Sequence, residues 1–258
     1  MFAHDHFAKK KILSEAVRGL RGTSGASMPE LPEAHEIVSR DGWLSRTPPT
    51  FQRIVLDRSQ LQTFETGAPV YALGDPPGGM YGLVSGGLGI TIAPNEIGPY
   101  FAHFARPGTW FGEAAALTGQ PRRIGLMATR ETQLLHLPLH AILDIVAKDP
   151  SAWRMLALVT IGHLDVAIGA CDDLMIRDHR RRFIAVLLRL AGSRLTTPHG
   201  ATPIDVDVSQ EDLAVLANIA RTTAGALLRQ LEADGHVELS YRRIRICDPS
   251  ALREMLRR

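Results

Sequence analysis

The sequence predicts an α+β protein in three parts: a small jelly roll (a double-stranded β-helix), a long helix that is apolar on nearly all sides, and a C-terminal winged helix-turn-helix. Three observations predict it. Short apolar stretches recur at roughly 8 to 12 residues between about 41 and 145, broken by Gly, Pro and Asp. A proline-free run follows from Pro150 to about Ile176. Two short amphipathic patterns then meet at a tight turn after Ser209 and lead into two alternating stretches.

Residues 1–40 form an N-terminal extension, disordered or helical. Lys9–Leu20 suits a short basic helix, and Gly22–Pro32 reads as a linker because Gly, Ser and Pro crowd it. Residues 41–148 make the β domain. Its expected strands are Gln62–Phe64, Pro69–Leu73, Met80–Val84, Gly87–Ile92, Tyr100–Ala105, Arg123–Ala128 and Thr132–Leu137, with glycines at the corners.

Residues 149–177 form the long helix. Met155, Leu156, Leu158, Val159, Ile161, Leu164, Val166, Ile168, Leu174 and Met175 nearly encircle it, so it needs cover on two sides, one of them a partner helix. Gly162 and Gly169 lie seven apart on one stripe and favour close helix approach. Residues 178–258 form the terminal domain. Asp178 caps a helix from His179 to Leu190 whose start is rich in Arg, against the helix dipole; phosphate contact or pairing with Asp172 and Asp173 explains those arginines. Ser209 caps the next helix, with Asp212 three residues on. Asn218 ends it in a left-handed conformation. The second helix of the pair runs from about Arg221 to Ala233 and stops at Gly235. His236–Leu239 and Arg242–Cys247 then alternate as the strands of a wing, with Ser240 and Tyr241 at the bend.

Composition narrows the function classes. The 258 residues are 45% hydrophobic, 22% charged and 6% aromatic, with two cysteines and a net charge of +2. That is an ordinary globular composition. No 18-residue window is wholly apolar, the charged start lacks a signal peptide's apolar core, and a cytoplasmic protein without a membrane partner is expected. From His179 onward, 13 Arg and no Lys stand against 9 acidic residues, a net +4, and Arg-only excess suits phosphate contact. The outward positions of the second helix, Arg221, Thr222, Thr223 and Gly225, lie near its N-terminus, where major-groove readers place base contacts. Arg221 can pair with guanine or clamp a phosphate. Ser209, Gln210, Arg242 and Arg243 complete the expected DNA contacts. No H-E-x-x-H, G-x-x-x-x-G-K or Ser-His-Asp pattern is present, and no enzyme is expected.

Two strings in the β region carry a resemblance. One runs Gly74-Asp75 through Tyr81-Gly82-Leu83 to Gly86; the other is Phe111-Gly112-Glu113, leading to Arg122 and Arg123. With the helix-turn-helix they resemble the CRP/FNR family of bacterial transcription regulators, from about residue 42 to the end. The resemblance implies a cyclic-nucleotide-type jelly roll, a homodimer formed through the long helix, binding to palindromic promoter DNA, and RNA polymerase as a partner. It also implies an effector site in which amides near Gly112, Glu113 and Ala114 cradle a phosphate, Glu113 accepts from a ribose hydroxyl, and Arg122, or Arg123 in the other register, neutralises the phosphate.

The sequence departs from that pattern. Nucleotide binders follow the Arg with Ser or Thr; here Arg123 and Ile124 follow Arg122. No cofactor is therefore assigned, a cyclic nucleotide stays open, and cAMP binding in the standard way is not expected. Alternatives are a cAMP- or cGMP-responsive regulator with a non-standard phosphate site, and a regulatory subunit acting on a protein partner. The absence of any Cys before Cys171 excludes an N-terminal iron–sulfur cluster. His163 is more simply structural than a haem ligand, Cys171 is more simply a half-buried inert thiol than a redox one, and no metal site is expected. In the second helix the family's acidic position is Thr222 and its later Arg is Ala226, so a different operator is expected.

Overall fold

The computed structural model describes residues 28–40, 42–92, 100–197 and 202–257. The expected helix at Lys9–Leu20 and most of the Gly22–Pro32 linker lie outside them. The chain divides into two compact units, one running to Gly162 and one beginning at His163, so the boundary falls inside the long helix.

The first unit is built on strands β1 (Gln60–Phe64), β2 (Pro69–Tyr71), β3 (Gly79–Ser85), β4 (Leu88–Ile92), β5 (Tyr100–Ala105), β6 (Trp110–Phe111), β7 (Gly125–Ala128) and β8 (Thr132–Pro138). They form two antiparallel four-stranded sheets, β1-β8-β3-β6 and β2-β7-β4-β5. Consecutive strands thus alternate between sheets along much of the chain, as a jelly roll requires. β6 is too short to show a period, and the expected strands at Pro69–Leu73 and Arg123–Ala128 are each shorter by two residues.

Strands β3, β6 and β8 of the first sheet are buried on both faces, which is why they read as apolar runs, whereas β1 at its edge is not. Met80, Val84, Trp110, Leu135 and Leu137 face a helical layer; Leu83, Phe111 and Leu134, at alternate positions, face the second sheet's Tyr71, Leu88, Ile90 and Leu126. The helical layer comprises α1 (Leu31–Arg40), a 3-10 turn (Leu44–Arg46), α2 (Pro49–Asp57), α4 (Leu139–Lys148) and the start of α5 (Ala152–Met175), α3 (Glu113–Thr118) lying between β6 and β7. Residues 31–40, assigned to the extension, bury Ala34 and Val38 in this core, with Pro32 in the helix's first turn. Gly82 is where Trp110 closes on β3: a Cβ there would stand 2.5 Å from the indole ring.

α5 changes character along its length. Ala152, Leu156 and Val159 are buried in the first unit, but no residue from Ile161 to Ile168 is buried. By length and hydropathy alone its 24 residues would pass for a membrane span.

The second unit contains α6 (His179–Leu190), β9 (Ile204–Val206), α7 (Gln210–Leu216), α8 (Arg221–Ala233), β10 (Val237–Ser240), β11 (Arg243–Ile246) and α9 (Pro249–Arg257). α6 is the central element; Phe183 to Leu188 are all buried, and α9 packs against it. Asp178 caps α6, its carboxylate accepting from Arg181 N at 2.7 Å, and that bond holds the carboxyl below its ordinary pKa. The wing carries a third strand, in the order β10-β11-β9, because Ile204 and Val206 alternate inward against Ile246 and Ile244.

The arginines at the start of α6 do not pair with Asp172 and Asp173. Arg182 donates to the carbonyls of Ile176 and Ala217, each at 2.7 Å, and Arg181 to that of Leu256. These carbonyls lie at or just beyond helix ends, or in the last turn of a helix, where acceptors lack intrahelical donors. Asp173, wholly buried, instead accepts from Arg189 Nε at 2.8 Å and Arg194 Nε at 2.9 Å.

Candidate functional site

The Phe111-Gly112-Glu113 string crosses from β6 into α3. Gly112 has φ 101° and forms the N-cap of α3 without a side-chain cap. The left-handed backbone serves close approach as well, since a Cβ at Gly112 would meet both Arg122 Nη1 and the Gly79 carbonyl at 2.5 Å. Glu113 is buried and accepts from Thr160 Oγ1 of α5 at 3.4 Å. Ala114 is half-buried in the same first turn.

Of the two candidate arginines, Arg122 is the buried one, at 4% exposure, and it is committed to its own chain. Nη1 donates to Gly112 O at 3.0 Å, Nη2 donates to Gly79 O at 2.9 Å, and the guanidinium lies 4.2 Å from the centre of the Tyr71 ring. Arg122 Nε is buried without a hydrogen-bond partner. Arg123 is exposed, so it does not join this cradle, and Ile124 packs into the core between the sheets. No hydroxyl follows the arginine. A phosphate here would have to draw Arg122 away from two carbonyls, and the next residue, where a hydroxyl donor is needed, is the exposed Arg123. The donor set does not fit a cyclic phosphate held in the usual manner.

Beside Arg122 runs a row of rings that composition and spacing did not reveal. Tyr71 and Tyr81 have centroids 5.9 Å apart, and Tyr81 stacks on His136 at 4.4 Å. The pairing of Tyr81 with His136 across β3 and β8 was the signal available, and it needs the strand register. Burial keeps both tyrosine hydroxyls protonated beyond their ordinary range, although Arg122 pulls the other way. His136 Nε2 lies 2.9 Å from Gly78 O and Nδ1 lies 3.3 Å from Gln62 Nε2. A carbonyl only accepts, so Nε2 carries the proton and Nδ1 accepts from the amide.

Burial, aided by Arg122 and His140 and opposed by the bond to Gly78, holds the His136 pKa below its ordinary 6.5. The unfolded chain therefore takes up this proton first as pH falls. The stability contribution is full above the ordinary value and is lost as pH drops from there toward the lower folded value. The urea midpoint of the wild type is expected to fall between about pH 7.5 and pH 5.5, and His136→Gln to flatten that fall. An unchanged slope in the variant would show that His136 is not its source.

In the second unit Ser209 caps α7, accepting from Asp212 N at 3.0 Å while donating to the Asp212 carboxylate at 2.5 Å. Its hydroxyl is engaged in the cap, whereas Gln210 is exposed. Asn218, at φ 50°, makes the turn into α8, which starts at Arg221 without a side-chain cap from Ala220. Arg221 and Thr222 are exposed and Thr223 is half-buried. Gly225 is not on the outward surface: lacking a side chain, it is covered by those of Gln210 and Arg229, each 3.5 Å from where its Cβ would be.

Arg221 faces Glu211 at 3.6 Å with its side chain 74% exposed, a pair that water screens. The wing turns at Tyr241 and Arg242, one residue later than expected, with Arg242 at φ 53°. Arg242 lies 3.5 Å from Asp212, and Arg243 lies 3.8 Å from Asp205. Arg245 forms a two-pronged bond to Asp205 at 2.8 and 3.2 Å, which raises its pKa. Among the described residues no three His, Cys, Asp or Glu side chains gather to hold a metal. Cys171 is exposed on α5, not half-buried.

The sequence matches the cyclic nucleotide-binding domain family over residues 61–149 and the Crp-like helix-turn-helix domain family over residues 181–255. A CRP-like cAMP-activated global transcriptional regulator of Mycobacterium tuberculosis is 24% identical over 217 residues, 84% of this chain and 97% of that protein. A solved transcriptional regulator of the CRP/FNR family from Thermus thermophilus matches with TM-score 0.57 and 22% identity, over 77% of this chain and 99% of its own. The c-di-GMP-responsive global regulator of Xanthomonas campestris matches with TM-score 0.56 and 20% identity, over 78% of this chain and all of its own. These two structures share the fold. With a jelly roll, a Crp-like helix-turn-helix and relatives named as CRP-like regulators, the chain belongs to the CRP/FNR family of transcription regulators.

Proposed function

We propose that this protein is a homodimer that binds palindromic promoter DNA through α8 and works with RNA polymerase, its β domain not using a cyclic nucleotide in the standard way. One observation carries the DNA reading: the first turn of α8, held by the capped α7, presents Arg221 and Thr222 to solvent on a net-basic unit. A second copy supplies the other half-site, about one DNA turn or roughly 34–36 Å away.

The test is fluorescence anisotropy with duplexes enriched by the protein from random sequence. Arg221→Ala is expected to weaken specific binding by about 1–3 kcal/mol, or roughly 5- to 150-fold. Unchanged affinity in that variant would remove Arg221 from the interface.

One observation favours a second reading. The buried, unpartnered Nε of Arg122 could still meet an anion, which would make this a cAMP- or cGMP-responsive regulator with a non-standard phosphate site. Calorimetry with both nucleotides separates the two: measurable heat of binding supports the second, its absence the first.

A further inference from the structure

The exposed face of α8 has an unusual chemistry for a helix placed against a polyanion. Arg221 opens the helix and Arg229 lies about two turns further on, before the exposed Gln230, Glu232 and Ala233; the exposed residues between the two arginines are Thr222 and Ala226. These two are four residues apart, hence neighbours on one face. Gly225 beside them contributes no side chain and is already covered by Gln210 and Arg229. The result is a small, uncharged window between two arginines.

Such a window discriminates by what it cannot do. Ala226 has no hydrogen-bonding group, so it neither holds a phosphate nor reads a donor–acceptor pattern on a base edge. The major groove offers such a side chain one distinctive apolar partner, the C5-methyl group of thymine. Thr222 adds a γ-methyl on the same face, and the smallness of both residues lets the helix approach the base edges closely. Building on the reading that α8 enters the major groove, we propose that Ala226, with the methyl of Thr222 beside it, reads thymine in each operator half through its C5-methyl. Arg221 would then take guanine or phosphate at the edge of the same window.

The experiment removes only that methyl. Full-length protein selects duplexes from a random library, and each thymidine of the enriched half-site is replaced singly by deoxyuridine, which keeps the base pair. One or two positions are expected to lose about fourfold in affinity, the worth of one buried methyl. In Ala226→Gly or Thr222→Ser the loss at the matching position is expected to vanish. The thymidine-to-deoxyuridine ratio is taken within each variant, so any loss of helix stability cancels.

A ratio of one at every position overturns the thymine readout while leaving DNA binding intact. So does a loss that persists unchanged in both variants. If no site is enriched and no duplex shows salt-sensitive affinity, the DNA-binding reading falls and this one with it.

Discussion

Ile168→Asp is expected to convert the protein to a monomer in sedimentation equilibrium and to weaken operator binding by about a hundredfold or more. Ile161, Leu164, Ile168 and Met175 stand 53%, 52%, 58% and 80% exposed on α5. Their spacing of three, four and seven residues places them on a single stripe, the seam of a two-helix coiled coil. A lone chain would leave that stripe in water, so we assign it to a second copy. In a two-fold dimer an aspartate at 168 meets its own counterpart in an apolar seam, and neither charge has a partner.

Losing the dimer would remove the second half-site contact, whose linkage strengthens binding by roughly 10²–10⁴. Because Ile168 is exposed and belongs to neither core cluster of the described residues, the circular-dichroism spectrum is expected to keep its helical signal. A variant that remains dimeric would show that this stripe is not the seam.

What could be read from the sequence was mainly local. Asp178, Ser209, Asn218 and Gly235 marked helix ends because caps act within three or four residues, and each holds the conformation its type favours. The jelly roll was legible from turn spacing, since Gly and Pro break strands wherever they stand. The site was less so. The partners of Arg122 are carbonyls at Gly79 and Gly112, and every residue has a carbonyl, so nothing marks those two in advance. The ring row depended on Tyr81 and His136 sharing a register across strands 55 residues apart. α1 was hidden because Ala34 and Val38 give too short a pattern to distinguish core from surface. Gly225 was read as outward from helical periodicity, which does not foresee that Gln210 and Arg229 fold over it.

The second large effect is expected from Asp173→Asn, which should lower unfolding stability by about 3–5 kcal/mol in urea titrations. Asp173 is wholly buried near the end of α5 and accepts from Arg189 of α6 and from Arg194 just beyond it. The Arg189 side chain is only 8% exposed, so its charge cannot turn to water. Asparagine keeps the shape and one acceptor oxygen but removes the negative charge that compensates both arginines. The cost is therefore that of leaving buried charge unpaired, which exceeds the worth of the pair itself. Arg194, with its side chain 27% exposed, contributes less because water reaches it. Arg194→Ala is accordingly expected to cost about 1 kcal/mol, well below Arg189→Ala, since its removal leaves Asp173 still paired with Arg189. Equal losses for the two arginine variants would mean that water screens the whole cluster. Because the three residues tie the last turns of α5 to α6, Asp173→Asn is also expected to raise hydrogen exchange at Leu174 and Met175 more than in β3.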